Sequence, residues 1–390
     1  MSHQIILPAL NSKLERFNLS SCSFAEVIPD TPFNRTAYAA AHLVVDPLQE
    51  LYPWQGKPAV DWEATLAYRE YLWKLGFKVA EAMDTAQRGM GVDWPTALEL
   101  IKRSTVLANT IPGADLAAGA GTDQLIDFSQ INLDDVRKAY IEQIEAIEAV
   151  GARVILMASR ALAKVARGPE DYLSLYAELI QGCRYPVILH WLGDMFDPLL
   201  SGYWGSANSW QAMDTVETII KENPSKIEGI KVSLLATEYE LALRQRLPHN
   251  VKMFTGDDFN YPELIAGEGD SFSHGLLGIF DPIAPVAAQA LTELANGNFV
   301  EYHRLMDPTV ALSRKIFEAP TQYYKAGVVF IAWLNGHQSH FSMAGGMHSA
   351  RSLRHYAEIF RLADQAGILR DPVLAVNRMN QLKAVYGLYD

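Results

Sequence analysis

The chain predicts an α/β fold: a (β/α)8 barrel, or TIM barrel, with a C-terminal helical extension. Three observations carry that prediction. Eight short apolar runs alternate with helix-like runs between residues 37 and 295. The runs are nearly continuous in apolar residues rather than alternating, as strands covered on the outside by helices are. Beyond Pro320 the spacing is helical almost throughout, which is more helix than a barrel's outer ring requires. On this reading residues 1–35 are an irregular N-terminal segment, 36–319 the barrel, and 320–390 a helical extension packed on it.

Asn11-Ser12-Lys13, Pro29 and Pro32 break up the first segment, with one short strand expected at 4–7. The first barrel run, 37–45, stops at Asp46-Pro47. Helical spacing follows at 61–75, where Trp62, Leu66, Tyr71, Leu72 and Leu75 share a face and Gly76 ends the helix. The second strand, 77–83, leads into Asp84-Thr85-Ala86-Gln87. Asp93-Trp94-Pro95 reads as an N-cap with proline in the first turn, opening a helix to about 108. The third strand, 114–118, runs into Gly119-Ala120-Gly121-Thr122-Asp123. Asn132 then caps a helix that Gly151 stops. Strand four is 153–157, its helix 170–180, and strand five 186–191. A connection rich in Gly and Trp, 202–205, precedes a helix at 212–221. Strand six holds Lys231 and is followed by a helix at 238–246. Strands seven and eight are 251–255 and 275–280, and a helix covers 286–295. The extension has helices at 323–334, 350–366 and 372–386.

Composition removes whole classes of function. With 49% hydrophobic and 20% charged residues the chain has ample material for a large core. A net charge of −12 and the lack of a basic tract argue against nucleic acid as a partner. No apolar run reaches membrane-spanning length, and Met1-Ser2-His3-Gln4 lacks the basic and apolar regions expected of a signal peptide. The two cysteines, Cys22 and Cys183, stand far apart in no metal-ligand spacing, which suits a reducing cytoplasm.

The most informative stretch is Lys226-Ile227-Glu228-Gly229-Ile230-Lys231-Val232-Ser233, an apolar strand with a lysine in its middle. A buried ammonium either pairs with a carboxylate or gives up its proton. A neutral lysine amine is a nucleophile that condenses with carbonyls to form a Schiff base. The alternative is a structural lysine that reaches water or an ion pair. In a barrel the chemistry gathers at the C-terminal strand ends. Those ends carry His42 and Asp46, Asp84 and Thr85, Thr122 and Asp123, Ser159, His190, Lys231 and Ser233, Asp257 and Asp258, and Asp281. Turn chemistry also favours Asp at such positions, and His190 also reads as a core histidine.

The order of motifs says more than any one of them. Gly229-Ile230-Lys231 is followed by Thr255-Gly256-Asp257-Asp258, by Gly275-Leu276-Leu277-Gly278, by Pro285, and by Ala295-Asn296-Gly297-Asn298. Upstream stand Ala118-Gly119-Ala120-Gly121-Thr122 and Pro186-Val187-Ile188-Leu189-His190. Across roughly residues 36–305 the chain resembles, at low identity, the dihydrodipicolinate synthase and N-acetylneuraminate lyase superfamily of Schiff-base aldolases. The resemblance implies a lyase with Lys231 as the Schiff-base lysine. It also implies that His190 stands where that family has its catalytic tyrosine, leaving an acid–base role to an imidazole. The family's Gly-Thr-Thr-Gly-Glu loop, which holds a keto-acid carboxylate, is here Met83-Asp84-Thr85-Ala86-Gln87. An aspartate repels a carboxylate and suits hydroxyls, as in a keto-sugar. Trp191, Trp204 and Trp210 offer faces for a sugar ring or for packing.

Near the C-terminus, residues 335–348 hold His337, His340 and His348 in a glycine-rich loop. The loop reads as an interhelical connection, a flap that brings His340 or His348 to substrate, or a metal site. The expected reaction is C–C cleavage or formation, or dehydration, on a small oxo-acid or sugar-derived carbonyl compound. Lys231 and His190 are the catalytic candidates. Asp84, Thr85, Thr122, Ser233, Asp257, Asp258 and His340 are the substrate-binding ones. No organic cofactor is expected, since no dinucleotide or phosphate-loop fingerprint is present. A divalent-metal sugar isomerase or epimerase built on Asp84, His190, Asp257 and His274 is the alternative. A non-catalytic ligand-binding barrel is a third reading. An assembly of identical subunits, dimer or tetramer, is expected.

Overall fold

The computed structural model describes residues 4–9, 13–20, 28–29, 31–49 and 58–389. The expectations placed on Met1-Ser2-His3, Asn11-Ser12 and Cys22 lie outside the described residues. Within the segment expected to be irregular, β1 (Gln4–Pro8) and β2 (Leu14–Asn18) form an antiparallel hairpin. The strand expected at 4–7 is therefore present, and it has a partner. Ile5 and Leu7 alternate into the core, while Leu14-Glu15-Arg16-Phe17-Asn18 hides its pairing behind polar residues.

Eight parallel strands close into a barrel: β3 (Ala37–Ala40), β4 (Lys78–Glu81), β5 (Leu116–Ala120), β6 (Arg153–Leu156), β7 (Val187–Leu192), β8 (Ile227–Ser233), β9 (Lys252–Thr255) and β10 (His274–Leu277). β10 closes on β3 through pairs such as Gly275 with Ala37. The order puts β4 across the lumen from β8. Several strands are shorter than their apolar runs. Residues 41–45 stay buried but leave the ladder, because an apolar run reports burial and not hydrogen bonding. In their place His42 is held by Asp281: its backbone N–H and ring Nδ1 both lie 2.8 Å from Asp281 Oδ2.

The helices are α1 (Trp62–Lys74), α2 (Trp94–Ala108), α3 (Leu133–Ala149), α4 (Arg160–Val165), α5 (Pro169–Gly182), α6 (Ser209–Glu222), α7 (Thr237–Arg244), α8 (Tyr261–Ala266), α9 (Ala284–Ala295), α10 (Phe299–Met306), α11 (Pro308–Ile316), α12 (Tyr324–Leu334), α13 (Leu353–Gln365) and α14 (Pro372–Val385). Asp93 caps α2 by accepting from the Thr96 N–H, and Asn132 forms a capping box with Asp135 on α3. Spacing does not reveal α4 and α8, which are too short for a period, nor α10 and α11, which abut at Asp307. No helix among the described residues is long and apolar enough to cross a membrane.

Tyr38, Ile155, Ile188, Phe254 and Leu276 pack inside the barrel and form its floor. Helix α12 is buried on every face and packs between α11, α13 and α14. The β1–β2 hairpin docks on the same bundle, where Arg361 Nη2 donates to Pro8 O at 2.7 Å and Phe17 meets the Phe360 ring. The N-terminal hairpin thus braces the extension, and the extension in turn reaches the mouth of the barrel.

Candidate active site

Lys231 pairs in register with His190 on β7 and with Phe254 on β9. It is 7% exposed. Its stem crosses Gly256, where a Cβ would lie 2.8 Å from Lys231 Cε and 2.2 Å from Ser233 Oγ. Only glycine leaves that path open. Lys231 forms no ion pair among the described residues, although the charges of Asp84 and Asp258 bear on it. Burial pulls its pKa below the ordinary lysine value, and those two carboxylates oppose the shift without reversing it. They approach from different walls: Asp258 follows the adjacent strand β9, and Asp84 follows β4 on the far side.

His190 is fully buried, with Nε2 3.4 Å from Ser233 Oγ and no partner for Nδ1 among the described residues. Burial, and then the charge of Lys231, push its pKa well below the usual imidazole range. It is therefore a neutral ring at physiological pH. Asp258 accepts from the Ile279 N–H at 2.9 Å. Burial raises its carboxyl to about 7, with the Asp257 charge acting the same way and Lys231 against it. A carboxyl titrating near neutrality thus sits within electrostatic reach of the amine.

Asp84 opens a single 3₁₀ turn after β4 and is partly exposed. The next residue, Thr85, shares a 2.8 Å hydrogen bond with the phenol of Tyr324 at the start of α12. Thr122 Oγ1 lies 2.5 Å from Ser159 Oγ. Asp84, Thr122 and Ser159 line a cavity of about 480 Å³, together with Arg88, Arg160 and Asp197. Val92, Leu125, Phe128 and Leu200 add apolar surface to its lining. Lys231 and His190 are not in that lining; Asp84 is the residue common to the cavity and to the surroundings of the amine. Arg88 is already spent, donating to Asp123, Gln143, Ala82 O and Gly119 O.

The structure gathers Lys231, His190, Ser233, Asp258, Asp84 and Thr85, with Thr122 across the cavity. Other candidates go elsewhere. Asp257 uses both oxygens in its own turn, accepting from Phe259 N at 2.8 Å, Asn260 N at 3.1 Å and Asn260 Nδ2 at 2.8 Å. His340 lies near the end of the first strand run, where its charged neighbours are Asp61 and Asp46. Its Nδ1 accepts from Ser342 N at 3.1 Å. The loop that carries it docks beside the second strand end, since Gln87 exchanges two hydrogen bonds with the Ala344 backbone.

The metal alternative fails on position. His274 opens β10 at the opposite end of the barrel, where Nδ1 accepts from Thr36 N at 2.8 Å between Phe254 and Phe272. It cannot join Asp84 and His190 at the mouth. His337 packs edge-on against Tyr68 and tilted against Tyr71, away from His348, whose Nδ1 accepts from Met343 N at 3.3 Å. Among the described residues no three His, Cys, Asp or Glu side chains are grouped to hold a metal.

Sequence reasoning missed four residues around the mouth: Tyr324, Lys325, Arg160 and Asp197. The signal for Lys325 was present, because it is the one charged residue in the apolar run 324–334. It is the same signal that singled out Lys231.

The family described as "Protein of unknown function (DUF993)" matches residues 5–388, and the chain belongs to it. Comparison with curated protein sequences gives no match. Among solved structures, dihydrodipicolinate synthase from Aquifex aeolicus is similar at 12% identity and a TM-score of 0.60, covering 91% of this chain and 98% of that one. The 4-hydroxy-tetrahydrodipicolinate synthase from Methylacidiphilum fumariolicum SolV is similar at 13% identity and 0.63, covering 88% and 99%. The Bacteroides thetaiotaomicron dihydrodipicolinate synthase is similar at 16% and 0.62, covering 85% and 99%. The fold is thus that of the dihydrodipicolinate synthases, with added chain.

Proposed function

We propose that this member of the DUF993 family is a Schiff-base-forming lyase or aldolase acting on a small carbonyl compound. One observation supports the reading above the others: a lysine amine buried in the lumen with no carboxylate paired to it among the described residues, its path kept open by Gly256. Such an amine is deprotonated at lower pH than an exposed one, and the neutral form is the nucleophile.

Lys231 Nζ attacks the carbonyl carbon and gives a carbinolamine. Loss of its hydroxyl as water leaves a protonated imine, which draws electrons from the adjacent C–C or C–H bond. Asp258, titrating near 7, receives the proton that the attacking amine loses. His190 is held neutral, so in this reading it hydrogen-bonds substrate through Nδ1 and accepts a proton only transiently. Asp84 and Thr122 face the cavity and suit hydroxyls of a sugar-derived or other oxygenated substrate. The volume of about 480 Å³ fits a small molecule, and the apolar part of the lining accommodates a carbon chain beyond the reacting end.

The test is borohydride reduction of the protein with a panel of keto-sugars and oxo-acids, read by mass spectrometry. The expected result is one adduct on the peptide containing Lys231, absent in Lys231→Met. An adduct on surface lysines alone, or none with any compound, would sink the covalent mechanism. A tight ligand from the same panel that never reacts would instead point to a binding barrel.

A further inference from the structure

A second buried lysine stands at the mouth and has no part in the mechanism above. Lys325 is 3% exposed and belongs to α12, outside the barrel's own strand ends. Its Nζ donates to Gln322 O at 3.0 Å and lies 4.5 Å from the centre of the Tyr324 ring. An ammonium has three N–H donors, and this one makes no ion pair among the described residues. The preceding residue anchors the helix end to the mouth through the Tyr324–Thr85 hydrogen bond, one residue from Asp84. The charges that face Lys325 come from four separate elements. They are Asp84 after β4, Asp197 in the loop after β7, Arg160 at the start of α4, and Lys231 on β8. Arg160 and Asp197 are already paired with each other at 2.5 Å. That leaves Asp84 as the carboxylate shared by the two buried amines.

We infer that Lys325 is a further catalytic residue, the acid that protonates the oxygen leaving the Lys231 carbinolamine and the base that takes a proton back later in the cycle. The inference rests on the Schiff-base reading. Lys231 and Asp84 stand on opposite walls, and a substrate whose carbonyl oxygen is directed at Asp84 brings that oxygen to the side of the mouth that Lys325 occupies. The step balances. The C–O bond breaks with its electron pair going to oxygen, the Lys325 ammonium gives that oxygen a proton, and water departs. The nitrogen lone pair of Lys231 forms the C=N bond, which carries the positive charge that Lys325 has given up. The neutral Lys325 amine then accepts a proton from the substrate as the neighbouring bond cleaves. Asp84 stabilises whichever amine is charged.

Burial lowers the pKa of Lys325 to about 8, with Arg160 and Lys231 acting in the same direction against Asp84 and Asp197. A group that titrates there exchanges its proton readily near neutral pH.

The experiment compares rates of borohydride trapping at Lys231 in the parent, Lys325→Met and Lys325→Arg, with dihydroxyacetone and the best compound of the panel, across pH 6 to 10. Lys325→Met should slow trapping by about 100-fold or more and remove the limb of the pH profile near 8. Lys325→Arg keeps the charge but cannot release a proton, so it should recover less than a tenth of the parent rate. Circular dichroism and thermal melts check that both variants fold, and Lys325→Gln serves as a second neutral variant. If the parent is trapped and Lys325→Met and Lys325→Gln are trapped at the same rate with the same profile, Lys325 is structural and the inference is overturned. If the parent itself is never trapped, the Schiff-base reading has failed and this step goes with it.

Discussion

The strand-borne lysines at the two ends of the barrel are held in different ways. At the N-terminal end those of β4 and β9 lie in an ion-pair network. Lys78 Nζ and Arg153 Nη2 reach Asp115 Oδ2 at 2.7 and 2.6 Å. Arg153 Nη1 and Lys252 Nζ reach Glu228 at 2.7 and 3.2 Å. One chain of five charges thus ties β4, β6, β8 and β9 together, and Arg153 also holds the Tyr38 phenol at 2.6 Å. Burial pushes the Asp115 carboxyl up, but Lys78 and Arg153 more than reverse it, so its pKa lies below the ordinary value. The stabilisation this linkage gives is present above the usual carboxylate pKa of about 4 and is lost as pH falls through the lower native value. At the mouth, Lys231 and Lys325 are more deeply buried, yet neither pairs with a carboxylate among the described residues. At the mouth the arginines Arg88 and Arg160 are paired with Asp123 and Asp197, and it is the two buried lysines that are left without such a partner among the described residues. Structural charges come in closed networks, and functional ones come with a vacancy beside them.

The sharpest way to break this contrast is Gly256→Ala. The new methyl would meet Ser233 Oγ, Lys231 Cε and the Val232 carbonyl, all under 3.0 Å. Borohydride trapping at Lys231 should fall by about 100-fold, with about 1–3 kcal/mol lost in denaturant unfolding. Unchanged trapping would mean that the lysine path does not depend on that gap.

A paired measurement sharpens it. Arg153→Met leaves two carboxylates without their bridge and should cost about 1–2 kcal/mol, an amount discounted because the network is partly exposed. Lys231→Met removes an unpaired buried charge and should be neutral or stabilising by about 1 kcal/mol. Melting curves that rank the two variants the other way would place a hidden structural role on Lys231.

The last measurement is on Asp258→Asn, which removes the group proposed to take the Lys231 proton and should slow trapping as well as shift its pH profile. Asp258 raises the Lys231 pKa, so removing its charge lets that pKa fall further. The neutral amine is then present at lower pH, and the rising limb of the trapping profile should move to lower pH by up to about one unit. A shift to higher pH would show that Asp258 acts on Lys231 in some other way.

Much of the fold was legible in local pattern. Eight apolar runs, with Asp93 and Asn132 as caps, are enough to place strands and helices, because burial and hydrogen-bond capping are decided within a few residues. The hairpin partner at Leu14–Asn18 was not legible, since its polar face conceals the period and its docking site lies more than 300 residues away on α13. The site divides in the same way. A lysine inside an apolar strand announces an unusual amine, and the strand-end rule brings Asp84, Asp258 and His190 toward it. Sequence also set Asp257 and His340 beside these, and His274 in the metal alternative, although Asp257 serves its own turn, His340 stands beside Asp46 and Asp61, and His274 lies under the barrel floor.

By itself, then, the sequence determined the barrel, its order of strands and the lysine at its centre, all of them consequences of where apolar side chains fall along the chain. Tertiary structure alone decided which charges are paired. Ion pairing depends on distances between groups far apart in sequence, and those distances exist only once the barrel has closed and α12 has been brought to its mouth. That closure made Lys325 a neighbour of Lys231, a relation nearly a hundred residues of intervening chain would never have suggested.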